Sequence, residues 1–600
     1  MAMSKRRKTV LIIGGILVGL VLVVMLGIAL LIMSVRDSQP DVDDNSVLVL
    51  KVEGVIPDYV NEDPFASRFF GAPSQSLTGL IGQLKKAKKD KRITAVLLDV
   101  DFVSMGWAKA EELREGIVDF KTSGKPIHAY MEYGADMEFY IAAACDKVYV
   151  APVGDLFING LAAEVMFFRG SLDKLGVFPD FYQIGKYKNA PDQFTRKEMS
   201  PEHREAMNSL LDEIFNRYVE QVARDRRKSP DEMRALIDNA PLSAKESQEA
   251  GLIDGAKYRD EVENELKKRL NYKEDDKLRL VKSSEYARVT AESLGINQGE
   301  RIAVIYASGP IGSGQSNSGP FGEETIGSDT VSKAIKDASE DKSIKAIVLR
   351  VDSPGGTNYG SDIIWHAVEA AKRKKPVVAS MSDVAASGGY YISTNASRIV
   401  AEPSTITGSI GIYAGKQVIK GFYDWIGISS EYLMRGKNAG MFRETEPFTD
   451  EERAKFQSMI KSAYYDEFLP KVAQGRGRDV GYIDSIAQGR VWSGGQAKER
   501  GLVDEFGGLE RAVEVAKELA KIPREKDVRR VIFPAPRTFF QEIFGGGDDS
   551  GASLKTRQQR RAALSALPED MRRALRYASY FEQVKRGEMM LMMPYEISVK

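Results

Sequence analysis

Short apolar stretches recur along the chain, and longer stretches with a helix-like mixture of apolar and polar residues separate them. SVLVLKVEGVI (46–56) and RIAVIYASGPI (301–311) both show apolar alternation, and each is followed by a loop rich in Gly, Pro and Ser. Strands that recur at close spacing with helical stretches between them are typical of a mostly parallel sheet with covering helices. The pattern therefore predicts an α/β fold.

The same pattern occurs twice in the chain. ITAVLLDVD (93–101) corresponds to IKAIVLRVD (344–352), and FYIAAACDKVYVAP (139–152) corresponds to YYISTNASRIVAEP (390–403). Both pairs are offset by the same 251 residues, so the repeat runs between them without a gap. We therefore predict two tandem domains of like structure.

The two copies differ at two short places. After its strand the second copy has SPGG (353–356), where the first has FVSM (102–105). The second copy also has AASGGYY around Ser387, where the first has GADME (134–138). Duplication followed by loss in one copy produces an active half and a supporting half. The difference predicts an enzyme whose two domains share one site.

Residues 9–35 carry no charge, and their apolar core extends over 10–33. As a helix this core is about 36 Å long, enough to cross a hydrocarbon layer of roughly 30 Å. A secretory signal has a shorter apolar region followed by a small-residue cleavage site. Because four basic residues at 5–8 precede the stretch, the positive-inside rule keeps the N-terminus in the cytoplasm. We predict an uncleaved single-pass anchor with the rest of the chain outside the cytoplasm.

The sequence predicts a division of the chain into six parts. They are a basic cytoplasmic N-terminus (1–8), a transmembrane anchor (9–35), a stalk (36–45), an N-terminal domain with a helical connector (46–300), a C-terminal domain (301–535), and a linker with a basic helical tail (536–600). The tail is amphipathic and contains the Met-rich run MMLMMP. Such a tail either lies on a lipid surface or packs against its own or a neighbouring subunit.

Composition excludes some classes of function. Lys plus Arg and Asp plus Glu both number 85, and no basic stripe with interleaved aromatic residues is present, which argues against nucleic-acid binding. With 43% apolar residues the bulk of the chain is expected to be globular. Cys145 is the single cysteine, so no intramolecular disulfide can form. It lies in the apolar run IAAAC, where a buried structural thiol is expected.

Ser387 is the candidate nucleophile. It lies between small residues at the start of a predicted helix, where its hydroxyl is expected to be exposed beside helix N-terminal N–H groups, that of Gly388 first. Gly355 and Gly356 follow a strand, and a glycine pair there lets the backbone present N–H groups to a developing oxyanion. The alternatives are that Ser387 is only an N-cap and that the glycines only form a tight turn.

The positions of the three histidines do not favour any of them as the base that would activate Ser387. His128 lies in an apolar strand, His203 in an acidic helical stretch and His366 within IIWHAVEA, so a Ser-His-Asp triad is poorly supported. A lysine whose pKa is lowered by burial can take the serine proton instead.

Two lysines of the first copy are candidates for this base. Lys186 and Lys188 flank a tyrosine in the largely uncharged IGKYKNAPDQF, and Lys437 lies in the approximate counterpart RGKNAGMF of the second copy. The residues alone do not choose between Lys186 and Lys188.

Four motifs carry a family resemblance: SPGG (353–356), AASGGYY around Ser387, TGSIGIY (407–413) and GKYKNA (185–190). Together they resemble the signal peptide peptidase A family, or protease IV, in its long duplicated form, from the anchor to about residue 525. The resemblance implies two tandem Clp-protease/crotonase-like domains and a serine–lysine dyad. It places the nucleophile at Ser387 and the general base at Lys188.

The same resemblance implies further roles. Gly355 or Gly356 together with Gly388 would form the oxyanion hole, and Ser409 would orient the lysine amine. The implied substrates are cleaved signal peptides and similar apolar peptides at the outer, periplasmic face of a bacterial cytoplasmic membrane. A homotetramer is implied, and no cofactor, metal or nucleotide is expected.

Two other classes of function remain open on the sequence. A catalytically inactive membrane scaffold would fit the decay of one copy, although the intact AASGG and YKNA segments speak against it. A crotonase-like acyl-CoA enzyme would use the same glycine turn but would need neither Ser387 nor an extracytoplasmic location.

Overall fold

The structure is a computed structural model that describes residue 19 and residues 42–60, 75–273, 275–318, 324–534 and 589–593. Apart from Gly19, the predicted anchor lies outside these residues, as does most of the predicted linker and tail. Among the described residues, no helix combines the length and the apolar character that a bilayer crossing needs.

The first half of the chain is built on a sheet of six parallel strands. The strands of this half are β1 (Ser46–Val55), β2 (Ile93–Ser104), β3 (Ile127–Met131), β4 (Gly134–Ala135), β5 (Lys147–Val150), β6 (Asp155–Phe157), β7 (Phe178–Ile184), β8 (Leu242–Ser243), β9 (Gly255–Ala256) and β10 (Leu280–Lys282). The order in the sheet is β10-β1-β2-β3-β5-β9. Strands β4, β6 and β8 form a small separate sheet.

The second half repeats this arrangement. Its strands are β11 (Glu300–Ser308), β12 (Ile311–Gly312), β13 (Asn317–Ser318), β14 (Glu324–Gly327), β15 (Ile344–Ser353), β16 (Gly355–Thr357), β17 (Val377–Ala386), β18 (Arg398–Ala401), β19 (Ile406–Gly408), β20 (Ile412–Val418), β21 (Val491–Ser493), β22 (Glu505–Phe506), β23 (Val528–Phe533) and β24 (Met590–Met592). The parallel strands run in the order β23-β11-β15-β17-β18-β22, the same as in the first half. The prediction of two tandem α/β domains is confirmed.

Helices cover the faces of both sheets. In the first half they are α1 (Leu77–Lys89), α2 (Trp107–Lys121), α3 (Asp136–Ala142), α4 (Arg169–Lys174), α5 (Asp192–Thr195), α6 (Pro201–Asp225), α7 (Pro230–Asp238), α8 (Ala244–Glu249), α9 (Arg259–Arg269) and α10 (Ser283–Tyr286). In the second half they are α11 (Ser328–Glu340), α12 (Asn358–Lys372), α13 (Gly388–Ser393), α14 (Lys420–Ile426), α15 (Asp450–Ser462), α16 (Leu469–Arg476), α17 (Val480–Ile486), α18 (Gly494–Glu499) and α19 (Leu509–Leu519). A 3-10 turn (Glu292–Leu294) and a π-helical stretch (Ala463–Phe468) complete the elements.

Helix α1 shows how the local sequence produces these elements. Its apolar residues recur at helical spacing, so that Leu77, Leu80, Ile81 and Leu84 are all buried on one face. The side chain of Ser76 accepts a hydrogen bond from the Gly79 N–H and caps the helix. Burial of that apolar face against the sheet, rather than helix propensity, holds such a helix in place.

A third sheet joins the two halves. Strand β7 of the first half pairs antiparallel with β20 of the second over seven residues each, and the complete order is β13-β14-β12-β16-β24-β20-β7. Because this sheet contains β16 and adjoins the loop that follows β7, it brings the SPGG turn and the GKYKNA loop to the same region.

A buried arginine of the second half is neutralised by acids of the first. The Nη2 atom of Arg350 lies 2.6 Å from Asp58 Oδ1 and 2.5 Å from Glu112 Oε1, and all three side chains are buried. Ser382 Oγ also lies 2.9 Å from the same nitrogen. Burying a charge costs several kcal/mol unless it is paired and hydrogen-bonded, so this cluster constrains how the halves pack.

A second cluster lies beside the first, and in it a lysine of the first half is paired with acids of the second half. Lys109 of the first half contacts Asp352 at 2.7 Å and Asp383 at 3.1 Å, both of the second half. Asp383 also accepts hydrogen bonds from the Gly106 and Lys109 N–H groups, each at 2.9 Å, and so caps the N-terminus of α2 from the other half. A Cβ at position 106 would overlap the Asp383 carboxylate, which explains the glycine there. The two halves therefore exchange buried charges in both directions.

We expect Arg350→Met to lower the free energy of unfolding by about 3–5 kcal/mol, because it leaves two buried carboxylates without their cation. Urea denaturation followed by circular dichroism measures the change. Lys420→Ala is the matched control, since Lys420 forms an exposed pair with Asp424 four residues on and its loss is expected to cost less than about 0.5 kcal/mol. Equal midpoints for the two variants would contradict the role given to the buried cluster.

Candidate active site

Ser387 lies in a sharp turn between a strand and a helix. Strand β17 ends immediately before it, and α13 begins at Gly388 immediately after it. Its backbone has φ 55° and ψ −110°, a conformation that a residue with a Cβ rarely adopts. The Ser387 N–H donates to Gly408 O at 2.8 Å, and its own carbonyl accepts from the Tyr391 N–H at 2.8 Å.

The Ser387 side chain does not cap α13, so the N-cap alternative is wrong. Its hydroxyl instead meets the amine of Lys188, with Oγ and Nζ 2.7 Å apart. The same Nζ lies 3.0 Å from Ser409 Oγ and 3.0 Å from Ser409 O. The structure therefore brings together three residues that the sequence analysis named separately.

This cluster is completely buried. Ser387, Lys188 and Ser409 each have no solvent-exposed surface. Burial holds the pKa of Lys188 well below its usual value, because a charged amine there would lose its hydration. The three oxygen atoms around Nζ belong to hydroxyl and carbonyl groups and carry no negative charge that would oppose this effect. A neutral amine has a lone pair that can accept the Ser387 proton.

The second half holds Lys188 in position. The Tyr187 N–H donates to Gln488 O at 2.8 Å. A Cβ at position 489 would lie 2.5 Å from Lys188 Cβ, and Gly489 has φ 76°, so only glycine lets the two loops approach this closely. Neither Gln488 nor Gly489 is predicted from the sequence to lie near the site. The one local indication of a close backbone approach is the glycine after a short predicted helix, and it does not identify the loop that approaches.

The glycines of the SPGG turn meet the start of α13. A Cβ on Gly355 would lie 2.8 Å from the Gly388 N atom, so these backbones touch directly. The Gly355 N–H donates to Ser353 Oγ at 3.2 Å and is thereby engaged within the turn. A Cβ on Gly356 would overlap Ile311 O. Gly355 and Gly388 thus lie in direct contact at the turn that carries Ser387.

The Ser387 hydroxyl was expected to be exposed, and this prediction is wrong. The side chain is buried because the site is roofed by backbone, including that of β24. Leu591 O of this strand lies 3.0 Å from the position of a Cβ on Gly388. The Met-rich run is visible in the sequence, but nothing in its residues predicts a place near Ser387.

The histidines take no part in this cluster. His128 is buried in β3, where burial lowers its pKa to about 4. His203 is buried on α6, 3.8 Å from Asp192, and His366 is exposed on α12. Within the described residues, none of the three hydrogen-bonds to Ser387 or Lys188.

The other candidate residues also lie apart from Ser387. Lys186 is exposed, with its amine 5.0 Å from the centre of the Tyr187 ring. Lys437 is exposed and pairs with Glu451. Cys145 is buried, and burial raises the pKa of its thiol, as expected of an unreactive structural cysteine. The geometry thus separates Lys188 from Lys186, which the residues alone did not.

Comparisons with known proteins find similarity in both halves of the chain. The model of peptidase family S49 matches residues 119–273 and 369–523, once in each half. The chain is 38% identical to the chloroplastic serine protease SPPA of Arabidopsis thaliana over 84% of this chain and 73% of that protein. It is 33% identical to Protease 4 of Salmonella typhi over 84% of this chain and 83% of that protein. It is also 33% identical to Protease 4 of Haemophilus influenzae over 73% of this chain and 72% of that protein.

We expect Lys188→Met to raise the melting temperature. Because the folded-state pKa of Lys188 is lowered, the unfolded chain binds a proton that the folded chain does not, in the window between that pKa and about 10.5. Wild-type stability therefore falls as pH falls through this window, whereas the variant has no amine to protonate. Thermal denaturation across pH should show the advantage of the variant growing toward lower pH.

Lys186→Met is the control for this measurement, since it removes an exposed amine two residues away. Its difference from the wild type is expected to stay constant with pH. A Lys188→Met variant that behaves like this control would contradict the neutral, buried amine.

Proposed function

Because the chain belongs to peptidase family S49, we propose that it is a membrane-anchored serine endopeptidase with Ser387 as nucleophile and Lys188 as general base. The observation that carries the proposal is the 2.7 Å contact between Lys188 Nζ and Ser387 Oγ in a fully buried setting. A serine is a weak nucleophile until an adjacent base takes its proton. The contact supplies such a base where no histidine is placed to do so.

The reaction begins when neutral Lys188 accepts the Ser387 proton and Oγ attacks the carbonyl carbon of the scissile peptide. The resulting oxyanion is stabilised by the N–H groups of Gly356 and Gly388. Protonated Lys188 then donates its proton to the leaving amine, and an acyl-enzyme remains. Water, deprotonated by the same amine, attacks the acyl carbon and releases the second product with Ser387 restored.

Two neighbouring residues assist without reacting. Ser409 offers both its hydroxyl and its carbonyl oxygen to Lys188 Nζ. These contacts engage the amine N–H groups and leave the lone pair directed at Ser387 Oγ. Gly355, whose φ is 105°, shapes the turn that presents Gly356.

We further propose that the substrates are cleaved signal peptides and similar apolar peptides at the periplasmic face of a bacterial cytoplasmic membrane. The uncharged stretch over 9–35 and the basic residues before it support a single-pass anchor of that orientation. An anchor keeps the site close to peptides that stay in the bilayer. A homotetramer belongs to the same proposal and rests on the family resemblance.

We expect Ser387→Ala and Lys188→Ala each to lower kcat by about three orders of magnitude or more, because each removes a group that acts on the reacting atoms. Turnover of a fluorogenic peptide with a Leu- and Ala-rich cleavage region by the detergent-solubilised full chain measures this. Lys186→Ala is the matched control and should retain activity. Undiminished cleavage by Ser387→Ala would refute the dyad, and an inert wild type would favour the inactive scaffold.

The pH dependence of peptide cleavage should follow the protonation state of the Lys188 amine. Since the neutral form of Lys188 is the active one, kcat/KM is expected to rise with pH through the lowered pKa of this residue and then to level off. Initial rates at low substrate concentration across pH measure the curve. A rate that falls as pH rises through neutrality would show that a protonated group is required instead.

A further inference from the structure

A cavity of about 640 Å³ lies between the two halves of the chain, and neither Ser387 nor Lys188 lines it. The first half lines it with Glu115 of α2 and with two residues of α6. The second half lines it with the segment after β18, with α18 and with Phe506 of β22. Small-molecule sites often lie between domains and have volumes of roughly 300–1,000 Å³, so this cavity has the place and the size of a ligand site.

The lining of this cavity is rich in carboxyl groups. Two glutamates from each half stand against two basic side chains, and they are Glu115, Glu213, Glu402 and Glu499 against Arg217 and Lys498. Both basic groups have partners outside the lining. Arg217 Nε pairs with Glu111. Lys498 Nζ donates to Asp504 O at 2.6 Å. The cavity therefore has an excess of acidic groups over basic ones.

Glu402 is the acid that points to a ligand. The residue is 1% exposed, and within the described part of the chain its enclosed Oε1 atom accepts no hydrogen bond. Nearly all buried polar atoms have a partner, because leaving one without a partner costs free energy. The main chain fixes this residue, since the Thr405 N–H donates to Glu402 O at 3.0 Å and a Cβ on Gly494 would overlap the same oxygen. The carboxyl is thus held in the cavity wall with an oxygen able to accept a hydrogen bond from a ligand.

The carboxyls of the lining hold protons more tightly than ordinary glutamates do. Burial and neighbouring carboxylates raise the pKa of Glu402 well above its usual value and raise the pKa of Glu115 to about 7, while Arg217 acts in the opposite direction. The charged residues outside the lining that act on these two carboxyls are Glu111, Glu112, Glu510 and Glu514. A cation bound between the carboxyls would favour their ionised forms, so its binding should release protons.

The size and the lining of the cavity indicate the chemistry of the ligand. The cavity has room for roughly twenty water molecules, far more than the volume of a single metal ion. Its wall includes Pro403 and Phe506, which offer apolar surface to methylene groups. The Phe506 ring already has an ammonium group beside it, since Lys498 Nζ lies 5.0 Å from its centre. Several ammonium groups joined by short apolar chains match these features together.

We propose that this cavity is a binding site for a linear aliphatic polyamine, whose ammonium groups pair with Glu402 and the other carboxylates of the lining. The inference does not depend on the peptidase activity, because Ser387 and Lys188 do not line the cavity. Helices α6 and α18 already touch, with Gln496 Nε2 donating to Ser209 Oγ at 3.1 Å. A ligand held by both halves would stabilise this contact and so the folded chain.

The test measures binding of spermidine, which has three ammonium groups, to the detergent-solubilised full-length protein. Spermidine is expected to raise the melting temperature and to give saturable binding in isothermal titration calorimetry. Glu402→Gln is expected to weaken this binding at least about tenfold, because it removes a charge-assisted hydrogen bond. Glu340→Gln is the matched control, since it removes the same charge from an exposed side chain outside the lining and should bind as the wild type does.

A second variant tests the position of the site while keeping every charge. A Cβ at position 495 would lie 2.9 Å from Glu213 Oε1, so Gly495→Leu would direct a side chain into the cavity at the cost of moving the end of one flexible glutamate. We expect Gly495→Leu to abolish spermidine binding and to leave the melting temperature without spermidine close to the wild-type value. Undiminished binding by both variants would overturn the proposal.

The dependence on pH and on other cations separates the polyamine from simpler explanations. The affinity of the wild type for spermidine should rise between about pH 6 and about pH 8, as the carboxyls of the lining ionise. An equal rise in melting temperature with sodium chloride at matched ionic strength would show screening only. A rise with magnesium or calcium chloride that Glu402→Gln abolishes would show a metal site. Either result would overturn the proposal.

Discussion

The Lys188 amine can accept the proton of the Ser387 hydroxyl under one physical condition, which is the exclusion of water from the amine. A lysine in water is protonated at neutral pH and cannot accept a proton. Burial between the two halves of the chain holds the pKa of Lys188 well below its usual value, because the charged amine would lose its hydration there. The proposed site therefore exists only at the interface between the halves, because Lys188 belongs to the first half and its hydrogen-bonding partners Ser387 and Ser409 belong to the second.

In the duplicated architecture, the two halves contribute different residues to the site. Each half supplies the same parallel sheet, but the first contributes the lysine loop and the second contributes the serine turn. The exchange of buried charges through Arg350 and Lys109 opposes any sliding of one half on the other, since a shift would leave charges unpaired without water. The copy that lost its own SPGG and serine segments thus remains indispensable to the site.

The sheet that joins the halves also contains the C-terminal strand β24. Strand β16, which contains Gly355 and Gly356, and strand β7, which precedes the lysine loop, belong to this one sheet, and β24 lies between β16 and β20 within it. A groove with two open strand edges is a place where any extended apolar segment can pair. The Met-rich run satisfies that requirement and pairs with both neighbouring strands.

The sequence by itself determined the α/β class, the duplication and the turns at Gly355, Gly356 and Ser387. These features follow from local periodicity and from conformations that few residue types adopt, and both can be read over short stretches of chain. Lys188 could be separated from Lys186 only through the family resemblance, because the two lysines share almost the same local sequence and 199 residues separate Lys188 from Ser387. Tertiary structure alone decided the burial of the amine, the exchange of charges at Arg350, the approach of Gly489 and the pairing of Leu591 with Gly356. Each depends on which distant surfaces pack together, a property that no short stretch of sequence contains.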